Sequence, residues 1–207
     1  MRVDGITSRH VRIRDSSFPG PNTAVCGIKR RRRASFEEIT VMTRTSLNGC
    51  WILDKSMPDW SMSSYLSILN VDQLAIEAHE KAEREVDTYH TIDISHDHFQ
   101  IVKRSRVNND LKLELPLNNT VAEGLPNGRT KQSVAVSHGP HHVQINHSIQ
   151  TTNGWADVQD VKELELSRYK QTLSITNRAT QASHTTVRYY LPYNRTPPHL
   201  ETQQLQA

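Results

Sequence analysis

The 207-residue sequence predicts a mainly β protein. The expected architecture is an up-and-down antiparallel barrel of about ten strands, with a two-helix lid between the first strand and the second. Three observations predict it. Beyond residue 86, apolar residues recur with a period of two through a series of short segments. Turn-forming stretches separate those segments at even intervals: SHDH, NND, GLPNGR, HGPHH, TTNG, RYKQ and TQAS. Helical spacing falls in one block, directly after the first strand candidate.

LNGCWILDKS (47–56) reads as the first strand, introduced by a glycine. MPDWSMSSYLSILN carries Trp60, Tyr65, Leu66 and Leu69 at helical spacing, with Pro58 near its start. Asn70 is placed to end that helix in a left-handed conformation. VDQLAIEAHEKAEREV continues as a second helix. Asp72 caps it, and Leu74, Ile76 and Ala78 lie among strong helix formers. VDTYHTIDIS, FQIVKRSRV and LKLELPL follow as strands, the last with Leu111, Leu113, Leu115 and Leu117 on one face. TVAEG, TKQSVAVS, VQINHSIQ, WADVQDVKELELS, TLSITNRA and HTTVRYYLPY complete the set. Helices inserted there make a lid rather than a core. A barrel of about ten strands is too wide for side chains alone to fill, so a small-ligand cavity is expected.

The flanks differ from this domain. Residues 1–44 contain the irregular DSSFPGPN and the block KRRRR at Lys29 to Arg33, and are expected to be a disordered basic extension. The barrel domain is placed at 45–193 and a Pro-broken polar tail at 194–207. Hydrophobic residues make up only 35%, which fits a chain partly outside any core. A net charge of +3 gives no general argument for a nucleic-acid binder. Two cysteines, Cys26 and Cys50, form no disulfide framework and fit a reducing compartment. With neither an apolar signal core near the start nor a run long enough to span a bilayer, a cytoplasmic location is expected. The sequons at Asn118, Asn146 and Asn194 then read as chance. The arginine run has the composition of a nuclear localisation signal, and Arg32-Arg33-Ala34-Ser35 resembles a basophilic-kinase substrate. The plain alternative is a solvated basic tail.

The histidines of HDH (His96, His98) and HGPHH (His138, His141, His142) sit in turns, and no Cys or carboxylate completes a zinc set. No metal and no cofactor are expected. Neither is catalysis: no nucleophile with a base at recognisable spacing, phosphate loop or carboxylate pair stands out. One feature does carry chemistry. In HTTVRYYLPY, Thr186, Arg188 and Tyr190 share one face of a strand. On a wet face this means nothing. On an enclosed face the always-charged guanidinium needs an anion or a tight hydrogen-bond network.

Five stretches then resemble a known family in order and spacing. They are GCW (Gly49 to Trp51), MSSYLSILNV (Met62 to Val71), RSRVNN (Arg104 to Asn109), NGRTKQS (Asn127 to Ser133) and TTVRYY (Thr185 to Tyr190). Together they resemble the intracellular lipid-binding proteins, the calycin-like barrels that include the cytosolic fatty-acid-binding and cellular retinoid-binding proteins. The resemblance implies binding and transport of a small hydrophobic carboxylate, a long-chain fatty acid or a retinoid. It places Arg188 and Tyr190 on that carboxylate, Met62, Tyr65, Leu66 and Leu74 at the cavity mouth, and Val107 at the portal. Relatives that bind retinol carry Gln at the arginine position, so Arg188 favours acids, although NGWADV (Asn153 to Val158) is more similar to the retinol-binding branch. A second polar anchor falls on Asp157, Lys162 or Leu164. Lys162, which shares parity with Leu164, is the basic candidate. The resemblance also implies a monomer whose lid touches a membrane or an acceptor protein transiently, with nucleic acid not a partner. The rival is a ligand-free barrel that acts as a protein or nucleic-acid interaction module through its basic extension.

Overall fold

The computed structural model describes residues 44–106, 109–125 and 128–194. The basic extension with its arginine run and Ser35, Val107, which is expected at the portal, and most of the C-terminal tail lie outside these residues. The element order is β1 (Gly49–Leu53), α1 (Ser63–Ile68), α2 (Gln73–Glu85), β2 (Tyr89–Ile94), β3 (His98–Arg106), β4 (Asn109–Pro116), β5 (Thr120–Gly124), β6 (Thr130–Ser137), β7 (His142–Thr151), β8 (Gly154–Glu165), β9 (Arg168–Asn177) and β10 (Ser183–Pro192). The strands form one ten-stranded antiparallel sheet in the order β4-β3-β2-β1-β10-β9-β8-β7-β6-β5.

The edge strands β4 and β5 are consecutive in sequence, so the sheet curls until its two ends meet. Leu117 bridges to Ala135 of β6, and the Asn118 N–H donates to the Ala135 carbonyl at 2.8 Å. The result is a nearly closed barrel with two short helices between β1 and β2, as the periodicity predicts.

Local chemistry explains the entry to the barrel. Gly49 has φ +125°, a conformation that L side chains rarely adopt, and a Cβ there would fall onto the Arg44 guanidinium. The side chain of Arg44 crosses that gap to lie over the Trp51 ring, 4.7 Å from its centroid. Trp51 itself is fully buried, and its indole N–H donates to the Leu47 carbonyl at 2.7 Å. The helices form where their caps dictate. Asn70 ends the first with φ +57°, and the Asp72 carboxylate accepts the Leu74 N–H at 2.9 Å to start the second.

Two apolar clusters lie inside. One gathers Leu47, Trp51, Leu53, Ile92, Phe99, Ile101, Leu115, Val143 and Ile145 from both halves of the sheet. The other seats Met62 and Tyr65 of the first helical segment on Ala156, Val158, Leu173 and Ile175 of β8 and β9. The expected leucine face of β4 extends beyond the interior: Leu113 and Leu115 pack inside, whereas Leu111 is 67% exposed at the strand's other end. No helix of the described residues is long and apolar enough to cross a membrane.

Candidate functional site

Strand pairing aligns the inward residues of β8, β9 and β10 into rows. Lys162, Gln171 and Arg188 are register partners and form one row. Asp160, Leu173 and Thr186 form the next, and Leu164, Tyr169 and Tyr190 flank them on the other side. These positions face inward because they share parity with Ala156, Val158 and Ile175, which the core claims. Arg188 therefore stands on the enclosed face, with 5% exposure. Lys162 has none.

Each cation has its own carboxylate. Lys162 Nζ donates to Asp160 Oδ1 at 2.6 Å, two residues back on the same strand. Gln171 Nε2 donates to the same oxygen at 2.9 Å, and the Tyr190 hydroxyl donates to Gln171 Oε1 at 3.1 Å. Arg188 Nη2 instead donates to Glu83 Oε1 at 2.5 Å, and Glu83 belongs to helix α2. Thr88, fully enclosed at the start of the next strand, lies 3.4 Å from the same Glu83 oxygen. Tyr169, Tyr190 and His90 stack in series, with ring centroids 4.6 and 4.4 Å apart.

The electrostatics follow from burial and from how many charges each group sees. Burial pushes Lys162 down to about 8, assisted by Lys103 and only partly offset by Asp160. Asp160 faces both lysines, so although burial opposes its charge, their combined field holds its carboxyl below the usual range. Burial also opposes the charge on Arg188, but Tyr190 and Glu83 outweigh it and hold the guanidinium above its ordinary value. His90 is held well below the ordinary imidazole range by burial and by Lys103, Lys162 and Arg188, and is neutral.

Several buried polar atoms here have no hydrogen-bond partner among the described residues: Arg188 Nε, Tyr169 Oη, Thr186 Oγ1, His90 Nδ1 and Glu83 Oε2. The first three can donate. An arrangement of one buried guanidinium edge and two hydroxyl donors suits a carboxylate.

The site residues expected from the sequence divide as follows. Arg188, Tyr190 and Lys162 are brought together, but the Tyr190 hydroxyl is engaged by Gln171 rather than aimed beside the guanidinium. Of the alternatives for the second anchor, Leu164 packs against the core. Asp157 lies on the outside, held by Arg178 at 2.6 and 2.8 Å. Met62, Tyr65 and Leu66 pack on inward residues of β8 and β9. Leu74 was expected at the cavity mouth, and this is corrected: it is 75% exposed, because α2 turns Ile76 and Glu83 inward instead. The expectation of an unfilled lumen is also modified. Trp51, Phe99, Tyr169 and Tyr190 are fully buried and occupy much of the interior.

Glu83, His90, Asp160, Tyr169 and Gln171 were not anticipated. Glu83 had a signal: it lies seven residues after Ile76, on the same helical stripe, where an apolar residue is expected. A groove of about 570 Å³ lies elsewhere, lined chiefly by outward-facing Gln132, Asn146, Ser148, Gln159, Ser174 and Thr176. It contains none of the buried charges, so the interior is the better candidate.

Known structures share this barrel. A Schistosoma mansoni fatty-acid-binding protein in complex with arachidonic acid is 15% identical, with a TM-score of 0.54 over 72% of this chain and 98% of that one. A fatty-acid-binding protein from Drosophila melanogaster brain is 16% identical, with a TM-score of 0.50 over 69% and 95%. An abundant heat soluble protein from Ramazzottius varieornatus is 14% identical, with a TM-score of 0.51 over 73% and 98%. No protein-family model and no curated protein sequence matches the chain. The chain has the fold of the fatty-acid-binding proteins: a ten-stranded, nearly closed antiparallel barrel with a helical pair between its first two strands.

Proposed function

We propose that the protein binds and carries a small hydrophobic acid, a long-chain fatty acid or a retinoid, inside the barrel, and is not an enzyme. One observation carries the reading: the buried Arg188 keeps its Nε without a partner among the described residues, and the rows on its two sides hold the equally unpartnered hydroxyls of Thr186 and Tyr169. The shared fold supports it, since a protein of the same architecture holds arachidonic acid. On this reading Arg188 receives the carboxylate, Tyr169 and Thr186 add hydrogen bonds, and Lys162 with Asp160 forms a polar floor. Met62, Tyr65 and Leu66 bound the tail's route. The two-cysteine composition agrees with a cytoplasmic carrier.

A sixteen-carbon acid has about fourteen methylenes to bury at ~0.8 kcal/mol each, so the tail supplies most of the affinity. The charge-assisted bonds add ~1.5–3 kcal/mol, so the arginine selects the head group. Native mass spectrometry of the delipidated chain with oleate and retinoic acid tests binding, and titration of Arg188→Gln tests the role of the arginine. The expected result is a ~10–100-fold loss for oleate and little change for oleyl alcohol. Equal losses for acid and alcohol would remove Arg188 as the anchor.

The rival reading, a filled barrel acting as an interaction module, draws on the complete burial of Trp51, Phe99, Tyr169 and Tyr190. It predicts that no acid of any length is retained.

A further inference from the structure

Helix α2 is held to the barrel in an unusual way. Across thirteen residues, Gln73–Glu85, it buries only Ile76 and Glu83. A helix docked by apolar packing presents a stripe of three or four such residues per two turns. Here the second inward position is a carboxylate with 2% exposure, and its partner is the one buried arginine of the strand opposite. The other polar ties of the helix run to the segments before it and are less buried. Ser61 donates to Glu80 at 2.5 Å, and Lys55 Nζ donates to the Val86 carbonyl at 2.9 Å. The charged and titratable groups around Glu83 are Arg188 from β10 and His79 from its own helix, whose Nδ1 lies 4.0 Å from Glu83 Oε2.

The same guanidinium therefore serves two roles on the reading above. It is the group that an acid ligand needs, and it is the group that keeps α2 closed. We propose that Glu83 is a built-in stand-in for the ligand carboxylate, and that a hydrophobic acid releases the α2 lid by displacing Glu83 from Arg188. This rests on the carboxylate-binding reading of Arg188.

Displacement exchanges one carboxylate for another, so the buried cation never loses its counter-ion. The freed Glu83 leaves for water with the helix end, which has only Ile76 left to bury. A neutral lipid of the same length brings no charge. It cannot replace Glu83 without stranding Arg188, and for that lipid the lid stays shut. The latch thus gives selectivity twice, once in the contact made and once in the contact broken. Glu83 holds only the Nη2 half of the Nε–Nη2 edge of the guanidinium, and an acid carboxylate that takes both halves displaces it, so the bound acid and the closed α2 exclude each other.

The test uses the full chain, delipidated, with sodium oleate and oleyl alcohol as probes. Glu83→Gln removes the competing charge and is expected to raise oleate affinity at least tenfold while changing that of oleyl alcohol by less than threefold. Unchanged or weakened oleate binding in that variant would overturn the latch. Hydrogen exchange on the unaltered chain avoids dependence on a variant that folds poorly. Oleate is expected to speed exchange of the amides of residues 80–85 at least tenfold, and oleyl alcohol to leave them unchanged. Equal or greater protection with oleate would also overturn it. Arg188→Gln separates the two claims. If it weakens oleate while Glu83→Gln has no effect, the latch fails and the carboxylate site stands. If Arg188→Gln binds oleate as the unaltered chain does, or if the unaltered chain binds no oleate, both fail.

Discussion

Among the described residues, Lys162–Asp160 and Arg188–Glu83 are ion pairs buried inside this barrel, and they are built differently. Lys162 and Asp160 stand two residues apart on one strand, and Gln171 braces the pair from the next strand. Nothing short of unfolding the sheet separates them. Arg188 and Glu83 are 105 residues apart in the chain, and one of the two sits on a helix that buries a single apolar side chain. That pair separates when the helix lifts. The contrast shows that burial alone does not make an ion pair structural. What matters is whether its two halves belong to the same cooperative unit.

The largest effect is expected where separation is impossible. Asp160→Asn keeps the shape and removes the charge, leaving Lys162 buried with Lys103 as its nearest charged neighbour. The expected loss is about 3–5 kcal/mol at pH 7, measured by urea denaturation. The pH dependence has a definite sign. Lys162 in the folded chain already titrates near 8, below its ordinary 10.5. Between those values the unfolded chain binds more protons than the folded one, so stability rises with pH. In the variant Lys162 gives up its proton at a lower pH still, so the deficit narrows as pH rises from 7 through 8, where the unaltered chain's Lys162 loses its charge too, and then levels off. A deficit that widens over this range would contradict the charge explanation.

A second effect acts on the acid side and reaches residues around both pairs. Burial, the largest influence, together with nearby Lys131, Lys103 and Lys162, lowers His147 to about 4, and only Asp160 opposes them. His90 is depressed well below the ordinary value by burial and three cations. Both histidines are therefore neutral when folded and take up protons when unfolded. Stability is complete above pH 6.5 and falls as pH drops toward 4, by about 3 kcal/mol for His147 alone. His147→Gln is expected to remove the His147 share of that slope, about half, and leave the His90 share in a pH series of denaturation midpoints.

Glu83→Gln should cost less than Asp160→Asn, although it too strands a buried cation. The loss cannot exceed the free energy of lifting α2, after which Arg188 reaches water. With one isoleucine released, the ceiling is about 2 kcal/mol. A loss as large as that of Asp160→Asn would mean the helix is not an independent unit.

This difference also explains what was legible beforehand. The shared face of Thr186, Arg188 and Tyr190, and that of Lys162 and Leu164, follow from a strand's period of two, whereas the enclosure of that face and its carboxylate role come only from the resemblance. Asp160 obeys the same rule, standing between Val158 and Lys162 in parity, but a lone carboxylate on an inward face carries no local signal until its lysine is placed beside it. Glu83 depends on more than period. Which side of α2 faces the barrel is set by how the helix docks, and one of the two residues it buries meets Arg188, a partner far along the chain. Leu74 was misplaced for the same reason. An apolar residue near a helix start suggests packing, yet the helix turns Ile76 and Glu83 inward and leaves Leu74 exposed. The filling by Trp51, Tyr169 and Tyr190 was hidden because strand number sets the width of a barrel, whereas aromatic rings from different strands decide how much of that width remains.

The smallest effect in stability is the most specific in function. Tyr169 Oη is buried with no partner among the described residues, and Tyr190 Oη donates to Gln171. Deleting a hydroxyl that lacks a partner removes a desolvation penalty, so Tyr169→Phe should leave stability unchanged or raise it by about 1 kcal/mol. Tyr190→Phe breaks a bond and should lower stability by a similar amount. Oleate binding should rank them in the opposite order. Tyr169→Phe is expected to weaken it about fivefold, because its hydroxyl is free to donate to the carboxylate, and Tyr190→Phe less than twofold. Calorimetric titration of both variants, with urea melts alongside, measures the two orders together. If Tyr190→Phe weakens oleate more than Tyr169→Phe does, the head group lies on the Gln171 side of Arg188, and the carboxylate site shifts along that row toward Lys162.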